Sequence, residues 1–105
     1  MKKFNCEVTR VDTYEITLDE TVLDKEWMNH FKRYFYNIDD LQGHAENIAQ
    51  FRARFGDRFI EGYGVPLVDG KVPYYANEKE VNKGISIRVI SEDDDADVYS
   101  TEVQN

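Results

Sequence analysis

The chain has little of what usually staples a small fold or announces a reaction. Cys6 is the single cysteine in 105 residues, so neither an intrachain disulfide nor a multi-cysteine metal site can form. Two prolines and six glycines leave no proline- or glycine-rich linker. The two histidines, His30 and His44, occur without H-x-x-x-H or H-E-x-x-H spacing, and no G-x-S-x-G is present, which removes the common signatures of zinc and serine hydrolysis. No stretch approaches the ~20 apolar residues of a membrane helix. Met1-Lys2-Lys3 leads into Asn5, Glu7 and Arg10 rather than the apolar run of a secretory signal. The expectation is a reducing, cytoplasmic setting without membrane contact. Bases are also scarce, 13 Lys and Arg against 21 Asp and Glu, for a net charge of −8.

What is present suffices for one domain. A chain of 105 residues is near the commonest domain size and buries roughly two thirds of its unfolded surface. Phe4, Cys6, Val8, Tyr14, Ile16 and Leu18 all occupy even positions, the period of a strand with one buried face. Arg10 and Asp12 interrupt that face. Unbroken parity and the lack of a tight-turn pair favour one long bent strand over a hairpin at residues 10–13. On this reading Cys6 is a small buried apolar residue rather than a reactive thiol.

Asp24 is a credible N-cap for a helix over residues 25–36, with Trp27, Met28, Phe31, Tyr34 and Phe35 on one stripe. Most of these aromatics belong to a core, and Tyr36 is the best exposed candidate. His30 beside Phe31 reads as a structural histidine. Asp39 with Gln42 resembles a capping box for a second helix, whose buried stripe is Leu41, Ala45, Ile48, Ala49 and Phe55. Arg52 and Arg54 in its last turn complement the dipole, and Gly56 fits the C′ position. Residues 58–63 read as a short strand, Asp69-Gly70 as a hairpin turn and residues 76–83 as a polar connection. Ile85, Ile87 and Val89 alternate in a strand that Ile90 suggests is covered partly on both faces, and residues 98–103 form a final edge strand or fray. The expected architecture is α+β, a single domain over 1–105 with an antiparallel sheet of about four to five strands and two helices packed on one face.

Charge is distributed unevenly. Residues 61–105 hold ten acids against four bases, −6 of the −8, and residues 91–97 read S-E-D-D-D-A-D. Such a surface repels nucleic acid and anionic membrane and attracts basic proteins. Asp93, Asp95 and Asp97 have the D-x-D-x-D opening of a calcium loop, but Val98 stands at the glycine position and Gln104 at the twelfth, so no metal is expected. Gly62-Tyr63-Gly64 is a backbone bend, since no third glycine and no helix follow to bind a dinucleotide. Arg52, Arg54, Arg58 and Lys32-Arg33 are too diluted by acids to promise nucleic-acid binding. No catalytic residue and no cofactor is expected. The candidate site is a partner-binding one: Glu92, Asp93, Asp94, Asp95 and Asp97 supply potential, while Tyr99, Tyr74 and Tyr75 supply contact area. A solvated charged turn that protects a sheet edge is the competing account.

The segments NIDDLQGHAENIAQFRARFG, FIEGYG and GISIRVISEDDDAD resemble small acidic proteins of bacterial mobile elements and phages. In size, charge and lack of enzymatic signatures the chain is similar to several anti-CRISPR proteins. The resemblance implies a non-enzymatic inhibitor of a host defence protein, such as an RNA-guided nuclease, bound at its basic nucleic-acid-handling surface. It carries no active residues over. A small protein–protein interaction module, homodimeric through an exposed strand edge, is the alternative, followed by a metal-responsive protein.

Overall fold

A computed structural model of the chain describes residues 1–93 and 97–103, with no statement about the side chain of Asp97. Among these residues five strands and two α-helices follow in the order β1 (Lys3–Thr9), β2 (Thr13–Leu18), α1 (Lys25–Tyr34), α2 (Leu41–Phe55), β3 (Val65–Val68), β4 (Val81–Ser91) and β5 (Asp97–Val103). A short 3-10 turn, Glu78–Glu80, precedes β4. The chain is α+β, but its strands form two sheets rather than one. β2-β4-β3 is a mixed three-stranded sheet, and β1-β5 is a separate antiparallel pair. β3 runs parallel to β4, because the Asp69-Gly70 turn leads only to the Val68–Lys71 bridge and not to a second hairpin strand.

Local chemistry sets the helix ends. Asp24 caps α1 by accepting from the Trp27 amide at 2.8 Å, as its sequence position suggested. The cap of α2 is Asp40, accepting from Gly43 N at 2.7 Å, rather than Asp39. Asp39 is instead held by Lys32 across the interhelical connection. Gly56 closes α2 with φ 74°, a conformation that L side chains adopt only at a cost. Residues 58–63 are not a strand: Ile60 bridges Gly64 around a turn in which Gly62 and Gly64 both have positive φ.

Both helices cover one face of the three-stranded sheet. Leu23, Phe31, Ile48, Ile60, Tyr63, Ile85 and Ile87 form the buried core, with Tyr14, Ile16, Leu18, Trp27 and Val89 against it. The pairs Ile16↔Ile87 and Leu18↔Ile85 put the alternating apolar residues of β2 and β4 on that same face. His44 is completely buried among them. His30 is exposed and leans on Tyr34, so it is no core histidine. Tyr36 is exposed as expected, but Tyr34 and Phe35 are exposed too, so only Trp27 and Phe31 of the α1 aromatics join the core, and Phe55 of the expected α2 stripe also faces solvent.

β1 departs from its sequence pattern. Its apolar alternation is real, but all seven residues are exposed, Cys6 included, because no helix is laid across it. Residues 3–18 are not one long bent strand, nor do they fold into a hairpin: the Arg10–Asp12 break divides them into two strands in different sheets, β1 pairing with β5 and β2 with β4, each antiparallel. The β1/β5 ribbon therefore projects from the core. The molecule measures 58 × 30 × 22 Å with a radius of gyration of 17.5 Å, against about 13 Å for a compact domain of this length.

Candidate functional site at the base of the ribbon

The acidic segment lies where the ribbon joins the core sheet. Thr13 pairs with Ser91 and Thr9 with Asp97, so three residues of the sequence, 10–12, separate the two pairs in one direction and five, 92–96, in the other. The acidic segment thus has two more residues between these fixed pairs than the connection from β1 to β2. A bulge precedes it. Tyr14 faces Val89 while Thr13 faces Ser91, which leaves Ile90 as the extra residue. Ile90 is half exposed, so the strand is not covered on both faces there. One inserted residue reverses the alternation beyond it. Glu92, which would otherwise share the solvent face with Arg88, comes round to the helix-covered face.

There Glu92 meets two donors. Arg52 of α2 reaches it through Nη2–Oε1 at 2.9 Å and Nε–Oε2 at 3.4 Å, and the Tyr14 hydroxyl donates to Oε2 at 2.8 Å. Arg52 is itself buried, its side chain only 9% exposed, and also pairs with Asp57. The Arg52 hydrogen bond holds the Glu92 carboxyl below its ordinary range, against an opposing effect of burial and with help from Tyr14. Burial first, and Glu92 second, push the Tyr14 hydroxyl up to about 12. Burial disfavours charge on Arg52, but the Glu92 hydrogen bond and field outweigh it, and its pKa is raised.

A second cluster closes the other strand. Arg10 grips Asp12 in a two-pronged contact, Nε–Oδ2 at 2.7 Å and Nη2–Oδ1 at 2.8 Å. Asp12 Oδ1 also accepts from the amide of Asp93 at 3.0 Å, and Asp93 Oδ2 accepts from the amide of Val11 at 3.4 Å. The Arg10 hydrogen bond lowers the Asp12 pKa, and burial only partly opposes it. The residues that interrupt the apolar alternation are therefore a lock across the two strands.

The expected partner-binding residues fall into distinct settings. Glu92 is committed inside the molecule, and Asp93 is half-buried and tied to residues 11 and 12. Asp94 and Asp95 lie outside the described residues. Asp97 opens β5 opposite Thr9, and Tyr99 lies on the ribbon opposite Glu7, exposed. Tyr74 is fully exposed and meets Tyr75 edge-on at 5.6 Å. Tyr75 lines a crevice with Arg52, Asp57 and Pro66. Tyr74 and Tyr75 sit in the connection between β3 and β4, Tyr99 on the separate ribbon.

Arg10, Asp12, Tyr14 and Arg52 surround the candidate site although their sequence pattern did not assign them to it. Two signals pointed to them. Arg10 and Asp12 share parity and so share a strand face. Arg52 lies four and eight residues after Ile48 and His44, on the buried stripe of α2, where a guanidinium requires a carboxylate.

Among the described residues no group of three or more His, Cys, Asp or Glu is placed to hold a metal, and no helix is long and apolar enough to cross a membrane. Compared with known proteins, the chain matches no protein family, no curated protein and no solved structure.

Proposed function

We propose that the chain is a non-enzymatic binding protein that docks on a basic, nucleic-acid-handling surface of another protein through the acidic segment at the base of its ribbon. In its sharpest form the reading is inhibition of an RNA-guided host defence nuclease, the anti-CRISPR kind of action. The observation that carries it is the Arg52–Glu92 contact at 2.9 Å. It fixes the head of the acidic segment to α2, while Thr9↔Asp97 fixes its tail to β1. Negative charge held between two anchored points loses less conformational freedom on binding than charge on a loose tail. Glu92 is the anchor in this reading and not a contact. Asp93, Asp94, Asp95 and Asp97 meet the partner, with Tyr75 and Tyr74 adding area.

The test uses a purified RNA-guided nuclease without its guide, captured by the wild-type chain and by a variant with Asp93, Asp94, Asp95 and Asp97 replaced by Asn and Glu92 retained. Wild-type capture is expected in about 0.1 M salt and its loss near 1 M, because the screening length falls from ~10 Å to ~3 Å. The variant is expected to fail at both. Equal capture of the two proteins, or capture indifferent to salt, rejects the reading.

A further inference from the structure

The ribbon poses a problem that the acidic segment does not solve. β1 and β5 pair over seven residues, from Lys3↔Val103 to Thr9↔Asp97, and every β1 residue is exposed. A lone two-stranded ribbon is marginal in water, and its outer edges present unpaired backbone groups to any strand that fits. Phe4 is 56% and Val8 62% exposed on one face of β1.

The two edges differ in charge. β5 contains Asp97 and Glu102 and no base, so two β5 strands set side by side add negative charge to negative. β1 contains Lys3 and Glu7, both odd-numbered and therefore on one face. When two β1 strands run antiparallel about a two-fold axis at Asn5, Lys3 of each copy lies opposite Glu7 of the other. The same register sets Phe4 opposite Cys6 on the reverse face. Opposite charges and apolar pairs directly across strands are the units that stabilise a sheet.

We propose that the chain forms a homodimer by antiparallel pairing of β1 with β1 of a second copy, centred on Asn5. The product is a four-stranded sheet in the order β5-β1-β1-β5. Each copy uses the same edge, so the assembly closes at two. The outer edges are then both β5, whose acids repel a third copy. Phe4, Cys6 and Val8 of both copies gather on one face of the new sheet. A strand-edge contact of this length falls below the ~1,200 Å² of a stable interface, so the dimer is concentration-dependent. Nothing in the proposal depends on what the acidic segment binds.

Sedimentation of the full chain over a concentration series in low salt tests it. Wild type is expected to pass from monomer to dimer. Glu7→Lys, which sets Lys opposite Lys twice, is expected to weaken the dimer about tenfold or more, and Lys3→Glu to do the same. The double variant K3E/E7K restores the pairs and is expected to restore the dimer. Both positions are exposed, so circular dichroism should show the fold unchanged in all three. The register is read separately by mild oxidation. Residues directly opposite have Cα atoms about 5 Å apart, inside disulfide range, whereas Cys6 in this register is two residues out of step with its own copy and beyond about 7 Å. Asn5→Cys in a Cys6→Ser background is therefore expected to cross-link, and native Cys6 is not. A wild type that stays monomeric, a charge swap that fails to restore association, or cross-linking through Cys6 instead of position 5 overturns the proposal.

Discussion

Arg52, from the last turn of α2, and Glu92, one residue past β4, form an ion pair at 2.9 Å on the helix-covered side of the sheet. They meet because a single bulged residue, Ile90, reverses the strand's alternation. The pair ties the longest helix to the point where the core sheet becomes a free ribbon. Removing either partner leaves the other under-satisfied, the buried Arg52 with Asp57 alone and the half-buried Glu92 with Tyr14 alone. Arg52→Met and Glu92→Gln are each expected to cost about 2–3 kcal/mol of stability. The double variant should cost clearly less than their sum. Denaturant unfolding of the four proteins measures this, and strict additivity would show that the contact contributes nothing.

Acid should unfold the protein in two stages with the same sign. Burial lowers the His44 pKa from 6.5, only partly offset by Asp40. The unfolded chain therefore takes up a proton below about pH 6.5 that the folded chain refuses, and stability falls as pH drops toward the folded value. Glu92 and Asp12 are lowered from 4.5 and 3.8 by Arg52 and Arg10. Their contribution is complete above those ordinary values and disappears as pH falls through the lowered ones. Unfolding midpoints measured across this range should show a first decline that His44→Phe abolishes and a second that it leaves intact. A single decline, unaffected by His44→Phe, would remove His44 from the account.

His44 also makes Tyr63 sensitive to substitution. Its Nδ1 lies 2.7 Å from the Tyr63 hydroxyl, which also accepts from Asn47 Nδ2 at 3.1 Å. Its Nε2 is buried without a hydrogen-bond partner among the described residues. Tyr63→Phe would strip the histidine side chain of the one polar contact it has among the described residues and deprive the Asn47 amide of its tyrosine acceptor. A loss of about 1–3 kcal/mol is expected, with partial recovery when His44→Phe is combined with it, because both ends of the bond are then apolar. No recovery in the double variant would mean that the histidine ring matters for packing alone.

The helices and the sheet interior were legible in the sequence because each depends on short-range pattern. The Asp24 cap, the Gly56 terminus and the Ile85-Ile87-Val89 alternation need only neighbours in the chain. What could not be read was set by distant partners. The β1 alternation of Phe4, Cys6 and Val8 has the form of a buried strand, but burial depends on a covering layer that the sequence does not position. The choice of Asp40 over Asp39 as cap depends on Lys32, seven residues before Asp39, holding the other acid. The parallel pairing of β3 was hidden by a valid turn at Asp69-Gly70, whose left-handed φ values of 52° and 75° reverse the chain without building a hairpin. Glu92 looked like the first of five solvent-facing acids, since nothing in S-E-D-D-D announces that Ile90 is bulged.

Two glycines separate a backbone requirement from a packing requirement. At Gly56, φ is 74° and an added Cβ would have open space, whereas at Gly62, φ is 88° and the Cβ would sit 2.5 Å from Cε2 of the buried Phe31. Gly56→Ala is expected to cost about 1–3 kcal/mol from backbone strain alone. Gly62→Ala adds displacement of a core ring and should cost more, about 3–5 kcal/mol. Thermal unfolding of the two variants decides it, and equal losses would mean that Phe31 yields freely.

The ribbon should be the least stable part of the folded chain. Ile85 and Ile87 of β4 are buried under two helices, and their amides are expected to exchange with solvent only when the whole domain opens. β1 residues are exposed throughout and pair on one side only, so their amides exchange through local separation from β5, at a free energy far below the global one. Hydrogen exchange in dilute solution is expected to show β1 and β5 losing protection together while β2 and β4 keep theirs. If β1 finds a second copy, raising the protein concentration must slow exchange at β1 and leave Ile85 and Ile87 unchanged, since mass action stabilises only what the association covers. Protection in β1 equal to that of β4 in dilute solution would contradict a free-standing ribbon, and the elongated shape of the molecule would then need another cause.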